Sequence, residues 1–88
     1  MDKAGDRIIK RFDHTRLVKQ TTMPIIAIFK SPTDYPGKYV ARVFDLDRPT
    51  NLAAVADTYE ELMEAIPPGM VKLERHDKDD PVIVETWI

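Results

Sequence analysis

The side chains able to do chemistry in this chain are few. There are two histidines, His14 and His76, one serine, Ser31, and no cysteine, beside 15 aspartates and glutamates. The lack of cysteine removes disulfides, thiolate nucleophiles and thiolate zinc sites. His14 stands between Asp13 and Thr15 in a basic stretch and reads as a solvated side chain. His76 is followed by Asp77, Asp79 and Asp80, donors that a hard cation accepts. Their spacing lacks the central glycine and terminal glutamate of a calcium loop, so a charged turn is expected there, with no metal. Asp45 and Asp47 fall where a loop is expected, and loops favour aspartate. Glu60, Glu61 and Glu64 sit on a helix, whose first-turn carboxylates serve its cap and its dipole. None of these carboxylates has the apolar surroundings that raise a pKa for general acid work. The three glycines are isolated, so no phosphate loop is present, and Ser31 is in no nucleophile elbow. The inventory predicts a non-enzymatic protein without a cofactor.

Basic residues are the remaining candidates, and they are unevenly placed. Residues 1–22 hold six basic and three acidic residues, a net of +3, whereas residues 23–88 hold seven and twelve, a net of −5. Arg7, Lys10, Arg11, Arg16 and Lys19 could contact phosphates or an acidic partner, with Phe12 available for stacking. No nucleic-acid recognition motif accompanies them, and a solvated charged tail is the stronger expectation. Ile8, Ile9 and Phe12 have helical spacing. The stretch fits a short basic amphipathic helix, a strand over residues 8–12 or a flexible segment, and the residues alone leave all three open.

The elements that must hold these side chains are clearer further along. Met23 directly precedes a β-branched run, Ile25 to Phe29, so residues 23–88 are expected to form one α+β domain, with residues 1–22 a basic arm. The segment Ser31-Pro32-Thr33-Asp34-Tyr35-Pro36-Gly37 is dense in turn formers, and Pro36-Gly37 suits a type II turn. A second strand, Tyr39 to Phe44, turns Tyr39, Ala41 and Val43 to one face and Val40, Arg42 and Phe44 to the other. Residues 45–51 read as a loop and residues 52–56 as a third strand. Thr58 and Glu61 have capping-box spacing, and Tyr59, Leu62, Met63 and Ile66 make one apolar face. Pro67, Pro68 and Gly69 end that helix. Residues 70–75 and 82–88 read as the last two strands. The expected fold is an antiparallel sheet of four to five strands, order β-β-β-α-β-β, with one amphipathic helix on one face. No apolar run approaches the ~20 residues that cross a bilayer. The N-terminus has no apolar signal region, and a cytoplasmic location is expected.

The run Tyr39-Val40-Ala41-Arg42-Val43-Phe44-Asp45-Leu46 and the run Ala56-Asp57-Thr58-Tyr59-Glu60-Glu61-Leu62 resemble the HicB-type antitoxin domain. The resemblance spans residues 25–66 and departs from the family in having no glycine in the 47–51 loop and Ala56 before Asp57-Thr58. The run from Tyr35 to Arg42 is also similar to small bacterial proteins of comparable length, a likeness that brings no function with it. The antitoxin resemblance implies a hairpin, a short strand and a helix, in a regulator that neutralises a partner protein. From the residues themselves, a binding or assembly module is expected. Its partner would dock on the loops 31–37 or 45–51, where Tyr35 stands, or on a sheet edge. The strand 82–88, with Trp87 and a lone charge at Glu85, reads either as a terminal strand whose tryptophan is a core or rim residue, or as an apolar sheet edge where two copies pair as a homodimer or which the arm covers. Nucleic acid is expected to be a minor partner at most, and no membrane partner is expected.

Overall fold

The computed structural model describes residues 7–73 and 83–88. The elements run β1 (Arg7–Ile8), α1 (His14–Gln20), β2 (Pro24–Lys30), β3 (Tyr39–Asp45), β4 (Arg48–Ala56), α2 (Tyr59–Met63), β5 (Lys72–Leu73) and β6 (Ile83–Trp87). They form an α+β fold with one six-stranded sheet in the order β1-β4-β3-β2-β6-β5. The sheet is mixed, because β1 lies parallel to β4 while every other pair is antiparallel. The β-β-β-α-β-β order is therefore present from β2 onward, preceded by a strand and a helix. Among the described residues no helix is long and apolar enough to cross a membrane.

The central meander is built by short connections. Tyr35, Pro36, Gly37 and Lys38 form the expected type II turn: Lys38 N–H donates to the Tyr35 carbonyl at 3.2 Å, and Gly37 takes φ +80°. Ser31 braces the same loop, its hydroxyl accepting from Gly37 N–H at 2.9 Å. The next connection is shorter than the residues suggest. Asp45 pairs with Arg48, so Leu46 and Asp47 are the whole turn, and β4 begins at Arg48 rather than after residue 51. Pro49 and Asn51 disguise this strand, since both are poor strand formers. Thr50 lies at the irregularity in the β3–β4 ladder, its hydroxyl donating to the Val43 carbonyl at 2.6 Å and accepting from Leu52 N–H at 3.2 Å.

Period-two alternation assigns the faces. Ile26 and Ile28 of β2, Ala41 and Val43 of β3, and Ala54 of β4 share one face with Leu62, Ala65 and Met70 as a single core. Phe12 and Leu17 enter that core from residues 7–22, at 5% and 1% exposed. Phe12 is also pinned by its backbone, whose N–H donates to the Ala65 carbonyl at 2.9 Å. The segment read as a basic arm thus supplies a strand, a helix and two core side chains. Asp13 caps α1, its Oδ1 accepting from Thr15 N–H at 3.0 Å. Asp45 receives Thr22 N–H and Met23 N–H at 3.0 and 3.3 Å, which fixes the entry to β2.

Helix α2 carries the expected cap, with Thr58 Oγ1 accepting from Glu61 N–H at 3.1 Å. Its regular part is only five residues. The rest, to Ile66, continues in tighter i to i+3 bonds, including Ala65 N–H to the Leu62 carbonyl at 2.9 Å.

The placement of β6 corrects the expected edge. Ile83–Trp87 pairs with β2 on one side and, at Thr86 and Trp87, with β5 on the other. The run of β-formers there reflects an interior strand, of which Val84 and Trp87 pack against the core. Val82 and the residues 74–81 that include His76, Asp77, Asp79 and Asp80 lie outside the described residues.

Burial of Leu17 makes α1 part of the cooperative unit. Leu17→Ala should lower the unfolding free energy by about 3 kcal/mol, the usual cost of deleting a buried leucine side chain. Urea denaturation followed by circular dichroism would measure it. Val18→Ala, one residue along and about half exposed, serves as the control.

Candidate functional site

A broad concavity lies where β1 stops. Arg7 and Ile8 pair with Leu52 and Ala53, and Ile9 N–H donates to the Ala53 carbonyl at 2.9 Å. The chain then bends at Lys10 and Arg11 to bring Phe12 to Ala65. Strand β4 continues to Ala56. Backbone groups alternate along a strand, so with Ala53 pointing at β1, Val55 points its N–H and C=O the same way. Among the described residues no strand pairs with β4 on that side beyond Ala53.

A groove of about 760 Å³ opens there, between the bend, the end of β4 and α2. Ala54, Ala56, Leu62 and Ala65 supply apolar lining, and small alanines leave its width. Lys10 and Arg11 stand at the bend, and Glu61 and Glu64 on α2. Lys38 and Asp57 also line the groove and pair with each other. Among the described residues the lining has no hydroxyl, thiol or imidazole. A site of this kind holds a ligand by backbone bonds, contact and charge.

A second cleft of about 110 Å³ lies on the far side of the same bend. Arg7, Arg11 and Arg16 line it with Asp13 and Leu52. Ile9 and Arg11 line both concavities. Among the described residues none of Lys10, Arg7, Arg11 or Arg16 has an ion-pair partner.

The fold therefore brings four of the candidate residues, Arg7, Lys10, Arg11 and Arg16, to one bend. Lys19 lies in the last turn of α1, where a cation suits the helix dipole. Phe12 is corrected: its ring is buried and cannot stack on a base. Tyr35 belongs to the β2–β3 turn and is half-buried. Trp87 is corrected too, because it packs against the core and spends its Nε1 donor inside the protein.

That donor goes to Glu85, the one charged residue buried among the described residues. Glu85 Oε2 accepts from Trp87 Nε1 at 2.7 Å, and the Tyr59 hydroxyl lies 2.9 and 2.7 Å from Oε1 and Oε2. A buried carboxylate is tolerable only with such partners. The sequence carried a signal for this: Glu85 and Trp87 are two apart on a strand and so share a face. Tyr59 in turn meets Tyr39 edge-on, with ring centroids 6.2 Å apart. Burial, then the hydrogen bond and charge of Glu85, then the charge of Glu60, push the Tyr59 hydroxyl up to about 12.

On the opposite face Arg42 is the central charge. Its cross-strand neighbours are Ala27 and Ala53, whose small side chains leave room for the guanidinium to lie along the sheet. Arg42 Nη1 donates to the Thr50 carbonyl at 2.8 Å, and Nη2 lies 3.6 Å from Asp34. Phe29 and Phe44 stack beside it at 6.4 Å. Among the described residues no group of histidines and carboxylates is placed to hold a metal ion. Compared with known proteins, the chain matches no family model, no curated protein and no solved structure.

The raised Tyr59 pKa fixes a pH dependence. Folding holds the protonated hydroxyl more strongly than the unfolded chain does, so this stabilisation is complete below about pH 10 and is lost as pH rises towards about 12. Tyr59→Phe should remove that alkaline component and cost about 1.5–3 kcal/mol at neutral pH, the range for a hydrogen bond to a charged group. Urea midpoints measured from pH 7 to 11 on both proteins would show converging curves.

Proposed function

We propose that this chain is a non-enzymatic binding module that takes an extended segment of a partner protein along the open edge of β4. The observation that carries this is the end of β1 at Ile9. It leaves the outward N–H and C=O of Val55 at the side of a groove floored by alanine and leucine. An added strand would continue the line of β1, gain main-chain bonds at Val55 and set alternate side chains into the groove. An exposed edge of this sort is what proteins normally cover or charge, and here Lys10 and Arg11 stand at one end of it and the Lys38–Asp57 pair at the other, with Val55 between them.

An antitoxin-like regulator is the second reading, and it uses the same surface. The two runs that carry the resemblance meet beside the groove, where Tyr39 pairs with Ala56 and packs on Tyr59. In that case the segment taken would belong to the protein being neutralised.

Selection of a random decapeptide library on the full chain tests the module. Titrating the selected peptides into ¹⁵N-labelled protein should move the amides of Val55, Ala56 and Asp57. Val55→Pro removes the outward donor at a position where an edge strand tolerates proline, so the fold should survive. Binding should fall by about tenfold or more, as expected for one lost hydrogen bond with its partner left buried. Selected peptides that leave these amides unmoved, or that bind Val55→Pro as well as the parent, would overturn the proposal.

A further inference from the structure

Resting on that reading, we infer that the segment taken by the β4 edge is acidic on the flank that passes the bend, where Arg11, Arg7 and Arg16 receive it. Three observations support this. The groove and the small cleft share Ile9 and Arg11, so an extended chain leaving the groove at the bend enters the cleft directly. The cleft wall carries three arginines against one aspartate, Asp13, which caps α1, and the arginines are exposed and without ion-pair partners among the described residues. The opposite wall of the groove carries Glu61 and Glu64, so the charge along the path changes sign from α2 to the bend.

Arginine is suited to this role. Its planar guanidinium meets a carboxylate through two parallel N–H donors, and it stays charged at every physiological pH. The core explains the position of the three residues but not their type. Arg7 lies opposite Leu52 at the sheet edge, Arg16 is on the exposed side of α1, and Arg11 is at an exposed bend. Each could be any soluble residue without loss to the packing, yet the fold gathers them around one cleft. The acidic remainder of the chain would repel an acidic segment elsewhere, so the charges also set its direction along β4.

The test uses the full chain and three fluorescein-labelled peptides in anisotropy titrations. All three share a core of alternating valine and threonine. One is preceded by four glutamates, one by four lysines and one by four serines. The glutamate peptide should bind about tenfold more tightly than the serine peptide, since three partly exposed ion pairs each contribute a factor of about two. The lysine peptide should bind more weakly than either. The advantage should shrink at high salt. Replacing Arg7, Arg11 and Arg16 together by glutamate should invert the order, and replacing them by lysine should retain most of it. Val55→Pro should weaken all three peptides alike.

Equal binding of the three peptides, all sensitive to Val55→Pro, would overturn this inference and leave the edge proposal standing. A glutamate preference indifferent to Val55→Pro would overturn both. A single-stranded oligonucleotide that binds more tightly than the glutamate peptide and displaces it would assign the arginines to nucleic acid and overturn the inference.

Discussion

Phe12 is the residue on which the arrangement turns. Its ring is nearly fully buried, and its N–H is committed to the Ala65 carbonyl at the end of α2. Both demands draw the chain off the β4 edge and onto the face of the sheet that carries α2, so it cannot stay on that edge past Ile9. Burying one phenyl ring therefore ends β1 after its short pairing with Leu52 and Ala53. It also ties α2 to the N-terminal segment and leaves Val55 facing outward. The groove is thus a consequence of the core. A strand long enough to cover β4 would have to give up the Phe12 contact, and with it a large apolar burial.

The two faces of the sheet handle charge in the same way by different means. On the helix side a carboxylate, Glu85, sits in the core because a hydroxyl from α2 and an indole from its own strand reach it. On the other side Arg42 lies over the sheet because alanines flank it and a carbonyl and a carboxylate meet it. Each charge joins elements that are distant in the chain: α2 to β6 in one case, the β2–β3 loop and β4 to β3 in the other. Such pairs contribute modestly to net stability, but they penalise any packing that would leave the charge alone. This gives a small domain a defined register at the places where its apolar contacts alone are permissive.

Folding the basic segment onto the acidic remainder changes what its charge means. As a loose tail, its cations would be spread through solvent and screened from one another. Held by β1, the Phe12 anchor and α1, three of its arginines stand around one cleft. Asp13, which caps α1, shares that cleft, and Glu61 and Glu64 stand across the groove. The result is a surface with an ordered sequence of charge, whereas the net charge of −2 describes no part of it.

What the sequence determined by itself is what depends on neighbours in the chain. The Thr58 cap, the Pro36-Gly37 turn with its positive φ, the alternation of β3 and the β-β-β-α-β-β order all rest on contacts within a few residues. Each is written in local types and spacing. The tertiary structure decided the rest, because it depends on which distant segments meet. The sequence marks Phe12 as apolar but cannot say that Ala65 will receive its amide. It marks residues 83–87 as strand but cannot say that β2 will take one side and β5 the other. It shows Pro49 and Asn51 as loop formers, and only pairing with β3 overrules them. The open edge at Val55 and the gathering of Arg7, Arg11 and Arg16 belong to this second kind. Both follow from where β1 leaves the sheet, and that point is set by a contact between residues 12 and 65 that no local pattern records.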